Sequence, residues 1–198
     1  MHSSISRYVL LASACMSAGL LSWGQRPVSA DVGVTVNFER AYIAPGSCNC
    51  FWLKGGGTDL TVTFWKGLGI AGSLSGDHAT NAAPGIDVNK ITYLFGPRYT
   101  ITPPALHHAH VFAEGLFGEA NAFNSSFPSG DVLSSSANSF AMQIGGGLQF
   151  PLAGRFSLRA FQADYVRTAL PNNFSDVQND FRLGFGFSYH AGSLTPRH

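Results

Sequence analysis

Three short clusters carry the side chains from which a metal site, a redox pair or a general base is usually built: Cys48-Asn-Cys50, Asp77-His78 and His107-His108-Ala-His110. A zinc site needs about four ligands, and neither the cysteines nor the histidines have further ligands placed close by in sequence. Cys48 and Cys50 are expected instead to form a local disulfide in an oxidising compartment, although so small a ring is strained. The histidines stand beside Pro103 and Pro104 and are expected in a turn and the start of a strand. Asp77-His78 is a lone acid and imidazole, the smallest unit that general-base chemistry uses. A second kind of charged residue is scattered singly through long alternating stretches: Glu39, Arg98, Glu114, Asp164 and Arg182. No catalytic, cofactor-binding or metal-ligating residue is expected, and no cofactor.

The elements that must position these charges read as strands. In Asp180-Phe-Arg-Leu-Gly-Phe-Gly-Phe-Ser-Tyr-His190 the large apolar residues fall on one face and Arg, Gly and Ser on the other, a strict period of two. The same pattern predicts eight segments, at 32–42, 58–65, 68–77, 90–100, 108–120, 139–150, 156–168 and 180–190. Most are near the 9 to 11 residues of a tilted membrane-spanning strand. Their connections alternate: long at 43–57, 78–89, 121–138 and 169–179, short at 66–67 and 151–155, intermediate at 101–107. Long surface loops on one side and tight periplasmic turns on the other are the asymmetry of an outer-membrane barrel. The loop 121–138 is rich in Ser and is expected to be a flexible, solvated segment.

Assigning faces puts Val34, Val36, Phe38, Leu60, Val62, Phe64, Ile70, Leu74, Tyr93, Phe95, Val111, Phe117, Met142, Ile144, Leu148 and Phe185 outward, toward lipid. The opposite set is small or polar and includes Thr35, Asn37, Asp59, Thr61, Thr92, Gln143, Gln149 and Gln162 beside the five charges above. Eight strands close into a barrel only wide enough for its own side chains. Arg98 and Arg182 should therefore pair inside it with acids such as Glu39, Glu114 or Asp164, in a barrel-interior polar network that leaves no open channel. One segment breaks the pattern: Arg159 has opposite parity to Gln162 and Asp164. Either a β-bulge near residues 160–161 turns all three inward, or Arg159 snorkels at the interface. Tyr42, Trp52, Trp65, Tyr99 and Tyr165 fall near strand ends, where aromatic girdles belong.

Arg7, an apolar run over 8–21 and the small residues of Val28-Ser-Ala30 predict a cleavable signal peptide at 1–30. The run is shorter than the roughly 20 residues of a transmembrane helix; a lipoprotein reading through Cys15 is the weaker alternative. Removing Arg7 and Arg26 from the 12 Lys+Arg leaves ten against eleven Asp+Glu, so the exported part is near neutral and has no nucleic-acid footprint. The whole chain is 45% hydrophobic and only 12% charged, about half the charge of an ordinary soluble protein, so something other than charge must cover its surface. The expected organisation is a barrel over 31–190 followed by a tail over 191–198.

Five stretches in this order, Thr92-Tyr-Leu-Phe-Gly-Pro-Arg98, Phe112-Ala-Glu-Gly-Leu-Phe-Gly118, Phe140-Ala-Met-Gln-Ile-Gly-Gly-Gly147, Arg159-Ala-Phe-Gln-Ala-Asp-Tyr165 and Asn179-Asp-Phe-Arg182, span most of the exported chain. Together they resemble the small OmpA-like eight-stranded outer-membrane β-barrel family, in the stand-alone form of acidobacterial type. The resemblance implies an all-β, antiparallel, up-and-down transmembrane β-barrel in the bacterial outer membrane. It also implies a non-enzymatic part in envelope integrity, surface adhesion or weak, porin-like pore activity. Partners would be outer-membrane lipid, lipopolysaccharide and the barrel-assembly machinery, with an extracellular partner that stays unknown. The chain departs from the pattern in running past Tyr189, so Phe187 or Tyr189 must serve as the aromatic assembly signal from inside. It also shows no wall-binding domain after the barrel. Two other readings remain: a soluble periplasmic, lipocalin-like barrel with the faces exchanged and an apolar ligand inside, and a lipid A-modifying barrel enzyme, for which Asp77-His78 is the best-placed pair.

Overall fold

In the computed structural model residues 28–42, 50–83, 86–106, 109–129, 132–172 and 176–192 are described. The eight alternating segments form eight strands: β1 (Ser29–Tyr42), β2 (Cys50–Trp65), β3 (Leu68–Ala83), β4 (Ile86–Ile101), β5 (His110–Ser129), β6 (Val132–Pro151), β7 (Phe156–Thr168) and β8 (Gln178–His190). Each pairs antiparallel with its sequence neighbour, and β8 closes on β1. Every strand thereby has a neighbour on each side, which a sheet needs if it is to cross lipid.

Register sets the shape of the closed sheet. Starting at Glu39 and stepping across the ladders through Arg182, Asp164, Gly145, Glu114, Arg98, Gly69 and Thr63, the path returns to β1 at Ser29. The displacement, 39 minus 29, is ten residues. With about 3.3 Å per residue and about 4.8 Å between strands, this stagger tilts the strands roughly 40°. Outward-facing Ile91, Tyr93, Phe95, Tyr99 and Ile101 of β4 are all exposed. At that tilt their span rises about 25 Å, the height of the apolar band on a membrane barrel.

The face assignment holds strand by strand. Val34, Leu60, Ile70, Leu74, Phe95, Phe117, Ile144 and Phe185 are exposed on the outside, and Thr35, Asn37, Asp59, Thr61, Thr92, Gln143 and Gln162 are buried within. The interior is less uniformly polar than expected. Leu94 and Leu116 pack inward with Ala71, Ala120 and Ala141 against the β3–β6 wall. Two further apolar clusters, Ala41 with Leu53 and Ala79, and Ala122 with Phe127 and Leu170, lie toward the end away from the termini.

Several boundaries differ from expectation. β1 starts at Ser29, β2 already at Cys50, and most of the long connections 78–89 and 121–138 belong to strands. The Ser-rich segment is a two-stranded ribbon, not a flexible linker: Phe127, Pro128 and Ser129 pair with Ser134, Leu133 and Val132. Ser and Asn read as loop formers, but a ribbon needs only backbone pairing where few side chains are confined to a buried face. At its irregularity Asn124 takes φ 58°, which Asn tolerates better than most residues. The turn between β2 and β3 is formed by Lys66 and Gly67, both with positive φ, as a two-residue hairpin matched to strand twist requires.

The irregular segment of β7 contains the bulge. Its pairing with β8 slips between Arg159 and Gln162, and its pairing with β6 slips beside Phe161. Ala160 and Phe161 both face out, while Arg159, Gln162 and Asp164 are all buried inside. Arg159 therefore does not snorkel; it is 1% exposed.

Candidate functional site

The lumen is filled by two tiers of paired charge. The basal tier lies toward the termini. Arg98 on β4 faces Gly69 on β3, and the missing side chain there opens a route to β2. Its Nη1 donates to Asp59 Oδ2 (2.9 Å) and Thr61 Oγ1 (2.7 Å), and its Nε to Glu114 Oε2 (2.7 Å). From the opposite wall Arg159 grips the same aspartate with Nη1 on Oδ1 (2.5 Å) and Nη2 on Oδ2 (3.1 Å). Gly33 leaves room for this clasp, since a Cβ there would sit 2.4 Å from Asp59 Oδ1 and 2.7 Å from Arg159 Nη2. The Phe112 ring faces both guanidiniums, with its centroid 4.6 Å from Arg98 Cζ and 5.2 Å from Arg159 Cζ. Such desolvated cation–π contacts add to the ion pairs.

The distal tier is centred on Glu39 of β1. Arg182, its cross-strand neighbour on β8, donates through Nε (2.9 Å) and Nη2 (2.7 Å). Nη2 also reaches Asp77 Oδ2 at 3.1 Å. Lys90 pairs with Glu39 and lies 3.7 Å from Asp180. Gln143 joins the tiers, accepting from Arg182 Nη1 (3.3 Å) and donating to Glu114 (2.9 Å). Gln162 donates to Glu114 and to Asp164, at 3.3 and 2.9 Å.

Glu39, Arg98, Glu114, Asp164 and Arg182 lie buried within the barrel, and the pairing there has more members than these five. Arg98 takes Glu114 and Asp59, Arg182 takes Glu39 and Asp77, and Asp164 is held by Gln162. Arg159, Lys90, Asp77 and Asp180 complete the set. Lys90 shares parity with Thr92, Asp77 with Ser73 and Ser75, and Asp180 with Arg182, so carrying the face assignment to the terminal residue of each predicted segment finds all three. Arg159 needed the bulge.

The remaining chemical candidates separate. Asp77 points into the lumen, 4% exposed, while the next residue, His78, points out and bonds Asn89 Oδ1 through Nδ1 at 2.8 Å. Adjacent strand residues face opposite sides, so the two do not form a dyad. Cys50 begins β2 and accepts from Arg40 Nη2 at 3.3 Å; its expected partner Cys48 lies outside the described residues. His107 and His108 also lie outside them; His110 starts β5 with Thr102 Oγ1 2.7 Å from its Nδ1. Among the described residues no group of three His, Cys, Asp or Glu is arranged to hold a metal ion.

A closed antiparallel barrel of eight strands with apolar residues outside and a charged plug inside defines a class by architecture, that of the eight-stranded up-and-down β-barrels. No protein-family model matches the chain, and no curated protein matches it. Solved structures do. Ail, the attachment invasion locus protein of Yersinia pestis, solved with the heparin analogue sucrose octasulfate, is 19% identical, with a TM-score of 0.53 over 83% of this chain and 100% of that one. Neisserial surface protein A is 12% identical, with a TM-score of 0.57 over 82% of this chain and 96% of that one. At these identities the likeness is one of fold.

Proposed function

We propose that the chain is a non-enzymatic transmembrane barrel of the bacterial outer membrane with a structural or surface-interaction role and at most a narrow pore. The exchange of faces carries this reading: Phe95 (69% exposed) and Val34 (61%) stand outside while Arg98, Arg159 and Arg182 are buried within. A soluble lipocalin-like barrel would require the reverse, with its apolar side chains around an internal ligand. Burying three guanidiniums is tolerable because each is paired, and exposing so much apolar surface is tolerable in lipid. The long β3–β4 and β5–β6 ribbons would point away from the cell and present surface for interaction, with the short turns in the periplasm. Asp77 and His78 on opposite faces support the non-enzymatic reading. Within the class we read a stand-alone barrel like those of acidobacterial type, surrounded by outer-membrane lipid and lipopolysaccharide and inserted by the assembly machinery after export.

Cells expressing the full chain should yield it in the outer-membrane fraction, with detergent-extracted protein that migrates differently on a gel before and after boiling. Recovery as a soluble periplasmic protein without detergent would overturn the reading.

A further inference from the structure

The bulge that turns Arg159 inward also shapes the outside. Because Ala160 and Phe161 both face out, a small side chain lies beside a large one on the membrane face of β7. Next to them an apolar groove of about 490 Å³ runs across β7, β8, β1 and β2, lined by Ala160, Phe161, Leu183, Phe185, Phe38 and Trp52. Phe38 and Phe185 stack along one side, with centroids 6.0 Å apart.

Two cations flank this groove near its distal rim. Arg40 follows Phe38 on the outer face of β1, and Lys54 is the cross-strand neighbour of Phe38 on β2; both are exposed. Arg40 has Trp52 and Phe181 as cross-strand neighbours, and Lys54 has Phe38 and His78. The Arg40 guanidinium is oriented by the Tyr42 ring, 5.8 Å from Cζ to centroid, and by Cys50. Arg40 and Lys54 are diagonal neighbours on one face, roughly 7–8 Å apart between the strands, and a phosphate shared by both needs the Arg40 guanidinium to swing from Cys50, on its other diagonal, toward Lys54. A guanidinium is suited to grip phosphate oxygens in pairs, and an ammonium adds a point charge.

A second apolar recess on the wall, at Phe95, Phe117 and Phe140, is bordered by Glu119, whose carboxylate accepts from Tyr93 at 2.5 Å. It repels what the first groove attracts.

We propose that the β7–β8–β1–β2 wall holds one phosphorylated lipid of the outer leaflet, with its phosphate on Arg40 and Lys54 and an acyl chain in the groove below. The site rests on the membrane-barrel reading, which places this rim at the outer surface. The test uses the full chain in phosphatidylcholine nanodiscs doped with lipid A, with native mass spectrometry of the released protein and circular dichroism to check the fold. The wild type and E119Q should carry lipid A, and R40Q/K54Q, equally folded, should lose roughly tenfold or more of that occupancy. Equal occupancy in R40Q/K54Q, or equal capture of dephosphorylated lipid A, would overturn the site. A folded, inserted wild type that carries no lipid A would overturn the site and leave the barrel reading standing. A chain that fails to insert would remove both.

Discussion

The basal and distal tiers of the lumen use the same side chains and balance them differently. At the base Arg98 and Arg159 face Asp59 and Glu114, and all four carboxylate oxygens receive an N–H donor. In the distal tier Lys90 and Arg182 face three acids, Glu39, Asp77 and Asp180. Asp77 Oδ1 and Asp180 Oδ1 have no hydrogen-bond partner among the described residues, and neither has Oδ1 of Asp164 between the tiers. A buried carboxylate with every oxygen engaged is expensive to remove, while one in excess of its cations is expensive to keep. The base is therefore the tier whose charges are matched one to one, and the distal tier has more acids than cations.

The sharpest way to break this contrast is Asp59→Ala, which strips two buried arginines of a shared anion. It should lower stability by about 3–5 kcal/mol, read as a shifted urea midpoint for unfolding from lipid vesicles. Gly33→Ala should cost less, about 1–3 kcal/mol, by pushing a methyl group into the Asp59–Arg159 clasp; an unchanged midpoint would mean the clasp has slack. Smallest is Asp180→Asn, which removes the acid in excess of the cations while Lys90 keeps Glu39. Its midpoint should stay within about 1 kcal/mol of wild type or rise. A larger loss for Asp180→Asn than for Asp59→Ala would erase the distinction between the tiers.

Much of this was legible before any coordinates. Period two is a local property, so the strands, the outward Val34-x-Val36-x-Phe38 face and the inward Glu39, Arg98, Glu114, Asp164 and Arg182 could be read from neighbours alone. Pairing across the lumen could not. Asp59 and Arg159 are 100 residues apart and meet only because ten residues of stagger bring β2 and β7 to one level. The bulge stood as one of two alternatives, since parity shows that a strand must break step and not how. The strand pairs within 78–89 and 121–138 escape the periodicity for another reason: beyond the apolar band no face need be apolar, so the alternation that marks a strand fades while pairing continues, as between Ala79 and Val88 and between Phe127 and Ser134. Leu94 and Leu116 obeyed the period and still went unnoticed as lumen residues, because an interior filled by side chains accepts leucine as readily as glutamine.

The Asp59–Arg159 clasp also imposes an order on assembly. As the chain is made, the aspartate exists long before its arginine, and a sheet of the first six strands would hold Arg98 but lack the second cation that completes the base. No open sheet of fewer strands holds all of these ion pairs, so a partly assembled sheet leaves charges without their partners. Long-range contacts of this kind form late and slowly. Closure of β8 onto β1 brings Arg182 to Glu39, so the last strand pairing and the last ion pair of the lumen become one event.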